Sequence, residues 1–166
     1  MVMAMHLPVR RQRSPLSERS QLNRADAAAV FGAAPALRTD DADLVECGTS
    51  SAPVGYRRGE SVLRILERFG DLGGTDTAGA VRGHYRAHDR VLIVTDEQAS
   101  FTHYGDATES IPPTVPVYTW NLAGYRLGHA PSGSDNRHTF GGLSDAAFRM
   151  VPLLEAGRSA VWPWKR

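Results

Sequence analysis

The sequence predicts an α/β domain organised around a mostly parallel sheet, and three observations carry this. Val91-Leu92-Ile93-Val94 is a continuous apolar run, as expected of a strand covered by helices on both faces. Polar residues, Thr95-Asp96-Glu97-Gln98, follow it at once. Strand-like and helix-patterned segments alternate along the chain, an order that favours a parallel sheet with right-handed crossovers.

The elements follow in order. Residues 1–20 show neither the helical nor the strand period and include Arg10-Arg11-Gln12-Arg13. They read as an irregular basic tail, leaving 21–166 as the domain. From Asn23 the pattern turns helical: Asn23 can cap, Asp26 favours the first turn, and Ala25, Ala28, Ala29 and Gly32 form a narrow face that can lie close to a sheet. Pro35 should kink or end that helix before Leu37. Asp43-Leu44-Val45-Glu46-Cys47-Gly48 reads as a strand stopped by glycine, and Val54-Gly55-Tyr56-Arg57 as a short second one. Ser61 opens a helix with Val62, Ile65, Leu66 and Phe69 inward and Gly70 as its stop.

Gly73-Gly74-Thr75-Asp76-Thr77 then leads into a helix bearing Ala78, Val81 and Tyr85. After the strand at 91–94, residues 115–120 give another, with Pro116 confined to its start. Residues 124–139 are rich in Gly, Ser and His and read as an extended loop or hairpin. Ser144 caps a last helix with Ala147, Met150, Val151 and Leu154 inward, and Val161-Trp162-Pro163-Trp164 reads as an apolar seal.

Composition bounds the function. The 166 residues fit one domain, and 42% hydrophobic content suffices for a core. The 19 basic and 18 acidic residues leave a net charge of +1, which argues against a diffuse nucleic-acid footprint. Cys47 is the single cysteine, so an internal disulfide and a thiolate metal cluster are excluded; it suits a buried strand position. No apolar stretch approaches the roughly 20 residues that cross a bilayer. The charged run after Pro8 reverses the order of a secretory signal. A cytoplasmic location without membrane contact is expected.

Ligands of open α/β sheets gather beyond the carboxyl ends of the strands. Asp96 should stand there, and Thr75 at the start of the following helix. A carboxylate and a hydroxyl suit a hard cation such as Mg²⁺, although two such groups cannot hold it tightly. The competing assignment is purely structural: Thr75 or Asp76 caps a helix and Asp96 caps the next turn. Enzymatic signatures are lacking. Gly73-Gly74-Thr75-Asp76-Thr77-Ala78-Gly79 has no phosphate-reaching lysine and is not a dinucleotide turn. His84 and His88 would share a helix face, without the glutamate of a zinc protease between them, and read as solvent-facing. No G-x-S-x-G elbow or nucleophile–base set is legible, so the chain is expected not to be an enzyme.

Five stretches together resemble the C-terminal von Willebrand A-type domain of the Ro60/TROVE family of RNA-binding proteins. They are Leu22-Asn23-Arg24-Ala25-Asp26-Ala27-Ala28-Ala29, Gly73-Gly74-Thr75-Asp76-Thr77, Val94-Thr95-Asp96-Glu97-Gln98, Tyr118-Thr119-Trp120-Asn121-Leu122-Ala123-Gly124-Tyr125 and Gly141-Gly142-Leu143-Ser144-Asp145. The resemblance implies a doubly wound sheet with a metal-ion-dependent site at its loop end, in which Thr75 matches the family's threonine and Asp96 its aspartate. The Asp-x-Ser-x-Ser loop that follows the family's first, central strand has no match, and residues 1–13 stand in its place. The domain is therefore expected to lack its first central strand, as if truncated, and to bind Mg²⁺ or another divalent cation weakly or not at all. By the same resemblance the protein is an RNA-binding ribonucleoprotein component whose partners are small noncoding RNAs. The alternative is a metal-dependent protein-interaction module, its partner at the metal-site face, without RNA contact.

Overall fold

In the computed structural model the described residues are 2–5, 24–70, 72, 76–95, 107–122, 136–142, 144 and 146–157. The elements run β1 (Val2–Met5), α1 (Arg24–Arg38), β2 (Leu44–Cys47), β3 (Ser51–Pro53), α2 (Val62–Leu66), α3 (Thr77–His84), β4 (Val91–Thr95), β5 (Val117–Asn121), β6 (Arg137–Gly141) and α4 (Ala146–Ala156). Among the described residues the strands form one sheet in the order β3-β2-β1-β4-β5-β6. Only the β2–β3 pair is antiparallel.

The expected gap at the centre of the sheet is not there. Val2–Met5 runs parallel between β2 and β4, with Val2 opposite Leu44 on one side and Leu92 on the other. The basic-tail reading of 1–20 therefore fails for its first residues. Val2-Met3-Ala4-Met5 has the unbroken apolar character that a doubly covered strand demands, in a run too short to show a period. Residues 6–23, with the arginine cluster and Asn23, lie outside the described residues.

Alternate residues of the strands feed two cores. On one face α1 presents Ala27, Ala28, Ala33 and Ala36 to Leu44, Leu92, Val94, Tyr118 and Trp120. Their small side chains let the helix lie close to the sheet. On the other face Ala80 and Val81 of α3 meet Val45, Cys47, Val91, Ile93 and Val117. Cys47 is fully buried, as its strand position implied. Five consecutive buried residues in β4 fit its doubly covered place.

Several sequence expectations shift. Pro35 does not end α1, which continues to Arg38; proline there forfeits one bond near the end of the helix, while Ala36 beyond it is completely buried. The second strand lies at Ser51–Pro53, upstream of 54–57, paired through Cys47–Ser51. The last three residues of the supposed loop, 137–139, together with Phe140 and Gly141, form the parallel edge strand β6. Its Arg137 is buried and donates to the carbonyls of Thr108, Ile111 and Val115, fixing the segment before β5. No residue of α4 is fully buried. Phe148 stacks on Trp120 at 4.5 Å, and Glu155 accepts from Arg90 at 2.7 Å and from the Tyr118 hydroxyl at 3.2 Å. Burial, then the Glu155 carboxylate, pushes the Tyr118 phenol above its ordinary range.

Candidate site at the carboxyl rim of the sheet

The loops at the carboxyl ends of β2, β4 and β5 are fixed by backbone hydrogen bonds. At β2, the Asp76 N–H donates to the Gly48 carbonyl at 2.7 Å and the Thr49 N–H to Leu72 at 2.8 Å. Gly48 is required here: a Cβ would sit 2.6 Å from the Leu72 carbonyl oxygen. At β4, the Thr95 carbonyl accepts from Leu122 at 2.7 Å, and at β5 the Asn121 carbonyl accepts from Gly142 at 2.8 Å. Thr95 and Asn121 are each 1% exposed, so their polar side chains end the strands inside the protein.

Thr75 and Asp96, the two candidate metal ligands, lie outside the described residues, as does the Gly73-Gly74 turn. Their chain neighbours are described. Asp76 is tied to the end of β2, Thr95 ends β4, and β1 lies between, with Ala4 opposite both Glu46 and Val94. Two strand spacings, about 10 Å, separate β2 from β4. The Asp76 carboxylate is occupied: Oδ1 accepts from the Gly79 N–H at 2.7 Å, capping α3. The capping role weighed for Asp76 is thus the observed one. Among the described residues no group of three or more His, Cys, Asp or Glu could hold a metal ion.

The two histidines do not share a helix face, because α3 stops at His84 and His88 falls in the following loop. Neither is simply solvent-facing. His84 Nε2 lies 3.1 Å from the Ser51 hydroxyl, and His88 Nε2 lies 2.8 Å from Asp43. His88 belongs to a cleft of about 670 Å³ at the opposite, amino end of the strands, walled by Pro35, Leu92, Phe148, Val151 and Pro152. Sequence reading missed this cleft because its walls come from α1, β4 and α4, far apart in the chain. Its one local signal, Ala87 in the left-handed region at φ 57°, cannot be read from residue type.

No protein-family model matches the sequence, and no curated protein does. Among solved structures the chain is similar to the RO (RSR) protein of Deinococcus radiodurans, with a TM-score of 0.62 and 15% identity over 93% of this chain and 34% of that one. It thus spans about a third of that protein's length. A likeness at this identity shows the fold alone: an α/β domain with a mostly parallel sheet flanked by helices.

Proposed function

We propose that this chain is a Ro-like domain that contributes to binding small noncoding RNA at the carboxyl rim of its sheet. One observation carries the reading: the described parts of four of the Ro-like stretches stand together on that rim. Asp76 and Thr77 reach it through Gly48, Val94 and Thr95 end β4, and the Gly142 N–H joins the stretch at Gly141 to the stretch at Asn121. The structural likeness to a RO protein over 93% of the chain supports the same reading.

Thr75 and Asp96 would be the cation ligands at this rim. The donor set fits Mg²⁺ poorly, since the first five residues after β1, His6-Leu7-Pro8-Val9-Arg10, include no carboxylate, and Asp76 is engaged as a cap. Mg²⁺ accepts few protein ligands and keeps several waters, so weak binding is the expectation and the RNA reading does not depend on it. The net charge of +1 favours a second reading, a metal-dependent module that binds protein without RNA.

Filter binding of a structured small noncoding RNA across a salt series separates the two. Retention at low salt, falling linearly in log–log form by about 0.7 per single-strand phosphate contacted, is expected. Absence of retention at the lowest salt overturns the RNA reading. Calorimetry with Mg²⁺ alone, on the unaltered chain and on Asp96→Ala, tests the ion. Micromolar binding lost in the variant would promote the metal-dependent reading.

A further inference from the structure

The cleft at the amino end of the strands lies outside the proposed site. It holds about 670 Å³, within the range of built ligand sites, roughly 300–1,000 Å³. Pro35, Leu92, Phe148, Val151 and Pro152 give it an apolar wall. Charges of both signs line it from two directions: Arg38 and Asp41 at the end of α1 and just beyond, Arg86 and Asp89 between α3 and β4. None of these four makes an ion pair among the described residues. The other charged groups of the cleft are engaged, Arg90 by Glu155 at 2.7 Å and Asp43 by His88 at 2.8 Å.

His88 clasps the two segments together. The Arg86 N–H donates to its Nδ1 at 3.1 Å, which leaves the ring proton on Nε2 for the Asp43 carboxylate. Between Arg86 and His88, Ala87 sits at φ 57°, a left-handed conformation that alanine keeps only where its surroundings fix it. The mouth is thus pre-formed, and a pre-formed site loses less on binding than one that must first be ordered.

We propose that this cleft binds a short zwitterionic peptide with apolar side chains. Its ammonium group pairs with Asp41 or Asp89, its carboxylate with the Arg38 or Arg86 guanidinium, whose fork matches a carboxylate bidentately. Its side chains lie on the apolar wall. The balance of charge selects this class. A purely anionic ligand would be brought against the aspartates and a purely cationic one against the arginines, and like charges brought together discriminate against each. An uncharged ligand would displace water from all four groups without pairing any of them. Size agrees, since clefts of this volume take ligands larger than a single amino acid.

Titration of the ¹⁵N-labelled full chain with the dipeptide phenylalanyl-leucine, followed by amide NMR shifts, tests this. The amides of Arg86, Ala87, Leu92, Phe148 and Val151 should move and saturate together. N-acetylation of the dipeptide removes its ammonium and C-amidation its carboxylate. Each change should weaken binding about two- to fivefold, the worth of one solvent-exposed ion pair. In Asp41→Asn/Asp89→Asn, altered at two exposed positions, the acetylated and free dipeptides should bind alike while the amidated one stays weaker. Arg38→Gln/Arg86→Gln should give the converse. Absence of shifts at millimolar dipeptide, or shifts confined to other faces, overturns the proposal. So does equal binding of the free, acetylated and amidated forms to the unaltered chain, or discrimination against the acetylated form that survives loss of both aspartates.

Discussion

Gly48 shows how much of the rim depends on one missing side chain. The strand end and the 72–76 loop exchange backbone hydrogen bonds across it, and a Cβ would meet the main chain of Leu72 rather than a yielding side chain. Gly48→Ala should therefore cost about 1–3 kcal/mol, the range of overpacked sites, read as a lowered denaturant midpoint at constant m-value. An unchanged midpoint would mean that the loop does not lie against β2. His138 makes a different prediction. Its ring stacks on Tyr118 at 5.3 Å, and burial lowers its pKa below 6.5. Below pH 6.5 the unfolded chain takes up the proton first, so stability falls as pH drops from there through the folded-state value. His138→Phe should flatten that part of the profile, and an identical pH slope in the variant would exclude the histidine as its source. At this scale the sequence was informative where chemistry is local: the Cys47 strand position was legible from its neighbours. The partners of His84 and His88 were not, because they lie on segments remote in sequence.

Among the elements, β1 changes the account most. A four-residue strand at the centre of a parallel sheet is paired on both sides, so its loss would leave two exposed edges inside the molecule. Its signal was invisible because period-based reading needs length, and the nearby Pro8 and arginines drew the segment toward a tail. The same limit hid β6, whose Arg137-His138-Thr139-Phe140-Gly141 follows a glycine- and serine-rich stretch. By contrast β4, α3 and most of the apolar stripe of α4 were legible, since length or composition marked each within its own segment; Phe148, in place of the expected Met150, joins Ala147, Val151 and Leu154 against the core. Ala4→Pro tests the central strand directly. Proline cannot donate to a ladder and is tolerated only at sheet edges, so a loss of about 3 kcal/mol or more is expected, against total stabilities of about 5–15 kcal/mol. Urea unfolding measures it, and an unaffected midpoint would show that Val2–Met5 is dispensable to the sheet.

Across the whole molecule, the parallel sheet separates the rim from the cleft. The rim lies at the carboxyl ends of the strands and the cleft at their amino ends, and a five-residue strand holds them about 17 Å apart. The core between them is close-packed around β4, whose residues are all buried. Sites farther apart than about 7–10 Å that share no partner act additively within about 0.5 kcal/mol. Asp96→Ala and Val151→Arg should accordingly act independently: the first on cation or RNA binding, the second on the packing of α4 against the cluster around Trp120, read as a lowered denaturant midpoint. Each measurement, repeated on the double variant, should equal that of the corresponding single variant within this margin. The connection that could break the rule is α4, which starts at Ala146, four residues after Gly142 at the rim, and ends at the cleft with Glu155 on Arg90. If Val151→Arg changes RNA retention by more than about twofold, the corresponding coupling exceeds about 0.4 kcal/mol, and α4 must transmit between the two ends.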